Sequence, residues 1–189
     1  MNTSYRARSV AQALLPASWR RPIAGILALC AAASVLYYMA SEDDPIVLAP
    51  SVLAAITPLD TIKTVQGDGS RILHLFESVD CSFCRKQEPE ISKVRNVTIY
   101  RHLLPGHEAG ARAVAASVLC ARDPGAQWAR VVAGMAIVER TCSGDGLDRN
   151  YALAKKIGII GTPSTVFQNG RVVNGLLDSA RIEKLLGAK

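Results

Sequence analysis

Two cysteines separated by two residues, Cys81 and Cys84, stand where an apolar run gives way to a charged one. That junction restricts the fold more than any other feature of the chain. RILHLFES (71–78) is apolar at Ile72, Leu73, Leu75 and Phe76 and reads as a buried central strand. RKQEPEISKVRN (85–96) reads as a helix with a kink at Pro89. A cysteine at the start of a helix faces unpaired amides and the positive end of the helix dipole, which favour its thiolate. Cys84 falls one turn further in, on the same face, close enough to close a small ring with Cys81. An exposed thiolate with a shielded partner suits thiol–disulfide exchange. The same spacing also serves half of a zinc site, which Cys120 and Cys142 could complete. Those two are 22 residues apart and form no second close-spaced knuckle, which weighs against zinc.

The rest of the chain frames this junction. Residues 45–66 carry Pro45, Pro50 and Pro58 and read as a tether with one short helix. Gly67-Asp68-Gly69 is a turn. Asn96–Leu104 is β-rich, stopped by Pro105-Gly106. An Ala-rich helical stretch over 107–140 is broken near Asp123-Pro124-Gly125, and a further helix spans 147–157. Gly161-Thr162-Pro163 makes a turn. Segments 164–168 and 171–174 read as a hairpin across Asn169-Gly170. Asp178 or Ser179 caps a last helix. Trp128 reads as core of the helical insertion and His74 as a strand residue. His102 and His107 lack metal-ligand spacing. Arg85 and Lys86, on the first helical turn, either support a Cys81 thiolate or are simply solvated.

Pro22–Ala40 is a 19-residue run without charge; as a helix it extends about 28 Å, against a hydrocarbon core of about 30 Å. Four arginines precede it and Ser-Glu-Asp-Asp follows, so the positive-inside rule keeps 1–21 in the cytoplasm and exports everything after residue 40. Signal-peptide cleavage after Ala40 would place Tyr38 at −3, and a lipoprotein site at Cys30 would follow Leu29; neither fits its processing enzyme. An uncleaved single-pass anchor is the expectation. The four other cysteines then face an oxidising compartment. The chain's net charge of +6 comes largely from this N-terminus: residues 41–189 hold 18 basic and 16 acidic side chains. A nucleic-acid-binding face is not supported.

HLFESVDCSFCRKQEPEI (74–91) followed by IIGTPSTVFQNGRVVNG (159–175) resembles the thioredoxin-fold domain of the DsbC/DsbG periplasmic disulfide isomerases, over about 70–187. The resemblance implies an α/β thioredoxin-like fold, here at 67–189 with a helical insertion at about 107–158; the residues before it read as one N-terminal transmembrane helix (22–40) and a periplasmic tether (41–66). It implies that Cys81 and Cys84 are the catalytic pair. It implies that the Thr162–Pro163 bond is cis and that Thr162 and Pro163 bind an extended substrate peptide. It further implies that Cys120 and Cys142 form a structural disulfide. The implied activity is that of a protein disulfide isomerase or other thiol–disulfide oxidoreductase without cofactor or metal. Its partners are cysteine-containing proteins and a redox recycling partner, and its place is the periplasmic side of a bacterial inner membrane. A DsbA-like oxidase and a non-enzymatic component of an envelope, secretion or conjugation apparatus are the alternatives. Two departures stand out. The 26 residues 41–66 are too few for that family's dimerisation domain. Leu75 also occupies the position, six before the first cysteine, where thioredoxins carry a buried acid for proton transfer, so that group is expected to be missing. Asp80, next to Cys81, would oppose a thiolate if desolvated and do little if solvated.

Overall fold

The structure is a computed structural model and describes Cys30 and residues 46–187. Apart from Cys30, the candidate span 22–40 and the stretch before it lie outside the described residues. Among the described residues no helix is long and apolar enough to cross a membrane.

Among the described residues, six strands form one sheet in the order β1-β6-β5-β3-β4-β2. They are β1 (Ile46–Val47), β2 (Thr61–Gln66), β3 (Arg71–Glu77), β4 (Val97–Leu103), β5 (Ser164–Phe167) and β6 (Arg171–Asn174). Over residues 46–187 the helices are α1 (Pro50–Leu53), α2 (Ser82–Ile91), α3 (Ala111–Leu119), α4 (Pro124–Val132), α5 (Asp145–Lys156) and α6 (Ser179–Gly187). β3 and β4 run parallel, joined through α2, and every other pairing is antiparallel. A parallel pair needs such a crossover, and the helix it carries covers a sheet face.

β3 is central and buried on both faces, which explains its nearly continuous apolar run. Leu73 and Leu75 pack with Ile91 of α2 and with Ile182, Leu185 and Leu186 of α6. Phe76, on the other face, packs with Val166, Val172, Ala154 and Ile157. Each such fully buried side chain stabilises the fold by about 1.5–3 kcal/mol relative to exposure. A third cluster joins α3, Trp128 of α4 and Leu147 of α5 to Ile62 and Leu103.

The expected tether over 41–66 is corrected in its described part. β2 pairs with β4 over its full length, from Thr61 against His102 to Gln66 against Val97. β1 pairs with β6, and Leu48 N donates to Gly170 O at 2.8 Å. Thr61, Ile62, Thr64 and Val65 are β-branched and suit a strand, and an edge strand needs only one buried side chain, here Ile62. The prolines forbid a long helix there and leave extended structure open. Gly170, in the hairpin turn with φ +83°, also admits β1: a Cβ there would meet Leu48 O at 2.9 Å.

The helical stretch expected to run to residue 140 ends at Val132, with Gly134 at φ +68°. Residues 133–143 are irregular and held by side chains. Ser117 Oγ donates to Arg140 O and accepts from Arg140 N, both at 2.9 Å, and Arg130 Nε donates to Ala136 O at 2.7 Å. Pro89 sits within the last turn of α2, which continues to Ile91.

Candidate active site

β3 delivers the chain to Cys81 through Ser78-Val79-Asp80, and Cys81 is the N-cap of α2. Its sulfur accepts from the Cys84 amide at 3.0 Å, occupying one of the helix-start donors. Cys81 is partly exposed while Cys84 is fully buried. The two are joined as a disulfide with Cα atoms 5.2 Å apart. Arg85 Nη1 donates to Val79 O at 3.4 Å, and Lys86 Nζ stands 5.3 Å from the Phe83 ring centroid. Phe83, between the cysteines, is about half exposed.

The turn before β5 comes to the same place. Thr162 O lies 3.4 Å from Cys81 Sγ, and the Thr162–Pro163 peptide is cis. Pro163 O accepts from Gly175 N at 2.8 Å. Ser164 Oγ donates to Gly161 O at 2.6 Å and pairs with Asn174 Oδ1 at 2.7 Å. The structure thus brings Cys81, Cys84, Thr162 and Pro163 together. Cys120 and Cys142 form a second disulfide, Cα atoms 6.6 Å apart, between the end of α3 and the irregular segment before α5.

Asp80 is captured rather than left beside the sulfur. Its carboxylate accepts from His107 N at 2.6 Å, Glu108 N at 2.8 Å and the Ser78 hydroxyl. Burial pushes this carboxyl up, but the Ser78 hydroxyl and the Glu108 and His107 amides outweigh it, and its pKa falls to about 2. Asp80 therefore fastens the loop after β4 to the cysteine turn. Gly106, at φ +78°, makes room for it: a Cβ there would lie 2.9 Å from Asp80 Oδ1.

A buried carboxyl does lie beneath α2. Leu75 and Glu77 share a face of β3 because side chains alternate along a strand. Glu77 is fully buried. Burial pushes its pKa up to about 8, opposed by Arg101 and reinforced by Glu88. Arg101 Nε lies 3.2 Å from Glu77 Oε2, yet neither Glu77 oxygen has a hydrogen-bond partner. Arg101 gives its aligned bonds to Glu88 of α2, at 2.9 Å from both Nε and Nη2. Trp128 Nε1 donates to the same carboxylate at 2.6 Å, so this ion cluster ties α2 to the helical insertion. Leu75 occupies the position six before Cys81, as read from the sequence, and Glu77 is a separate buried acid whose charged neighbours are Arg101 and Glu88.

The opposite face of β3 holds a histidine pair. His74 Nδ1 and His102 Nε2 are 3.0 Å apart, and His102 Nδ1 is 3.2 Å from Asn150 Oδ1. Burial, with the neighbouring ring's charge at His74, lowers both pKa values to about 4. The pair stays neutral within the core.

A strand, an N-capping CxxC, a helix and a cis-Pro turn facing the first cysteine define a thioredoxin-type domain. The chain belongs to the family of thioredoxin-like domains, whose model matches residues 59–189. Within it the chain is DsbC-like. It is 30% identical over 131 residues to a probable thiol:disulfide interchange protein DsbC of Bordetella pertussis, covering 68% of this chain and 47% of that protein. It is 25% identical over 119 residues to the Escherichia coli K12 DsbC, covering 61% and 50%. The chain thus spans about half the length of the curated relatives it matches. A disulfide interchange protein from Neisseria gonorrhoeae superposes with a TM-score of 0.63 at 26% identity, over 69% of this chain and 96% of that one. The catalytic domain of Proteus mirabilis ScsC is alike in fold, with a TM-score of 0.60 at 20% identity, over 72% and 95%.

Proposed function

We propose that this chain is a thiol–disulfide oxidoreductase that acts on cysteine-containing proteins as a DsbC-like isomerase or reductase. It works in the periplasm and is held there by the anchor expected at 22–40. One observation carries the reading: the partly exposed Cys81 caps α2 beside the Thr162 carbonyl while Cys84 is buried behind it.

In the reduced protein the Cys81 thiolate, favoured by the helix N-terminus, attacks one sulfur of a client disulfide. That S–S bond breaks, a mixed disulfide forms, and the client's second sulfur leaves as a thiolate. In reduction, Cys84 loses its proton and attacks the Cys81 sulfur. The Cys81–Cys84 bond closes, the remaining client thiolate departs, and two electrons have passed to the client. In isomerisation, a different client thiolate attacks the mixed disulfide and the Cys81 thiolate is regenerated without net electron transfer. Thr162 and Pro163 present backbone to the client, and the Cys120–Cys142 disulfide holds the insertion together. A recycling partner supplies the electrons that reduction consumes.

Insulin reduction with Cys81→Ala as control tests the exchange activity; loss of activity in the variant is expected, and an unchanged rate contradicts the reading. The reduction potential separates a reductase or isomerase from a DsbA-like oxidase. Alkaline phosphatase fused after residue 45 should be active if the body is exported.

A further inference from the structure

α2 carries a buried amide that the exchange chemistry leaves unused. Gln87 stands one turn beyond Cys84 on the same face, and both are fully buried. Its Nε2 donates to Leu177 O at 2.7 Å and its Oε1 accepts from Leu177 N at 2.8 Å. One side chain thus satisfies both backbone groups of a residue 90 positions away, in the connection between β6 and α6. Just beyond it, the start of α6 has a second fastening to α2, where Glu90 Oε2 accepts from Ser179 N at 2.9 Å. At the other end of the connection Gly175 N donates to Pro163 O at 2.8 Å, and Thr162 O faces Cys81 Sγ at 3.4 Å.

These bonds close a ring: Cys81, α2, Gln87, Leu177, Gly175, Pro163, Thr162 and back to Cys81. We infer that Gln87 is a positioning residue that sets the register of the Thr162–Pro163 backbone against the Cys81 sulfur. This rests on the exchange reading above. The cysteine helix and the turn opposite it belong to different parts of the chain; the β5 ladder begins at Ser164, and Ser164 Oγ holds the turn at Gly161 O. Through the Gly175 amide, the Gln87 clasp holds the turn from the other side. An apolar side chain of similar size would fill the same space without fixing this register, because dispersion contacts are non-directional and paired hydrogen bonds are not. It would also leave the Leu177 N–H and C=O buried and unpaired.

The test compares two reactions of Cys81 in full-length protein. Iodoacetamide reads the thiolate alone. A mixed disulfide of an extended cysteine peptide also reads the Thr162 backbone. In Gln87→Leu the peptide rate should fall by about tenfold, through KM, with alkylation within about twofold of wild type; a misplacement of ~1 Å can cost as much as ~100-fold. Both rates unchanged, or both lowered equally, would overturn the inference. If Gln87→Leu does not fold, Gln87→Glu decides. Its carboxyl can accept from Leu177 N at any pH but can donate to Leu177 O only when protonated. The ratio of its peptide rate to its alkylation rate should rise toward the wild-type ratio on acidification, and a flat ratio overturns the inference. Wild-type protein that is alkylated at Cys81 yet exchanges with no peptide disulfide defeats the exchange reading itself, and the inference with it.

Discussion

Glu77 and Arg101 stand 3.2 Å apart under α2, and the arginine directs its aligned hydrogen bonds to Glu88 instead. Glu77 is consequently a buried carboxyl with a cation beside it and no hydrogen bond of its own. Burial raises its pKa from 4.5 to about 8. Between those values the unfolded chain has released a proton that the native protein keeps, so stability falls as pH rises through that window. Glu77→Gln should remove this decline, and the difference between the two proteins should reach roughly 1–3 kcal/mol by pH 8. Denaturant midpoints from pH 5 to 8 check it, and parallel curves would contradict the assignment.

The histidine pair acts on the other side of neutrality. His74 and His102 have pKa values lowered from 6.5 to about 4 by burial. Between those values the unfolded chain binds protons that the native core excludes, so stability is full above 6.5 and is lost as pH falls toward 4. The loss should be on the order of 1–3 kcal/mol per ring. Replacing both rings by apolar residues, His74→Phe with His102→Leu, should flatten that limb of the pH–stability curve. An unchanged slope would show that the rings titrate normally.

Asp80 should behave as a fastener. Asp80→Asn weakens its bonds to the His107 and Glu108 amides, and the cost should be about 1–3 kcal/mol. Hydrogen exchange at those two amides should accelerate more than at the β3 amides. Because the folded pKa of Asp80 is lowered from 3.8 to about 2, its contribution is present above the unfolded value and is lost as pH falls through the folded one. Exchange at His107 and Glu108 that matches wild type would remove Asp80 from this role.

The second disulfide should support stability and leave exchange alone. Cys120 and Cys142 are 22 positions apart, and cross-linking a loop of that size stabilises by roughly 3 kcal/mol in the chain-entropy estimate. The double variant Cys120→Ala, Cys142→Ala should lose about that much while retaining insulin reduction through Cys81. Loss of reduction in a folded double variant would tie the second pair to the chemistry.

The parts of this molecule that could be read from the sequence are those whose signal is local. β3 announces itself by its apolar run, α2 by following the cysteines, the β5–β6 hairpin by Asn169-Gly170, and α6 by Asp178, whose Oδ1 accepts from Arg181 N at 2.7 Å. β2 carries a weak signal because an edge strand with Ile62 as its one buried side chain shows little alternation, and the prolines beside it, Pro50 and Pro58, mark irregular chain. Glu77 carries no local mark either, because its burial and its neighbour Arg101 come from the packing of β3 against β4 and α2. Gln87 and Glu88 carry no local mark: their partners Leu177, Arg101 and Trp128 lie in other elements, and only the folded chain brings them together.

The unequal exposure of the two site cysteines supports the proposed division of roles, and trapping in single-cysteine variants tests it most directly. Cys81 should be alkylated by iodoacetamide below pH 7 and Cys84 should react far more slowly, since Cys81 is partly exposed and Cys84 fully buried and the helix start favours the Cys81 thiolate. Cys84→Ala, lacking the resolving thiol, should accumulate mixed disulfides with cysteine-containing proteins, and Cys81→Ala should accumulate none. Equal alkylation of the two thiols, or complexes formed through Cys84 alone, would contradict the assignment of Cys81 as the attacking sulfur.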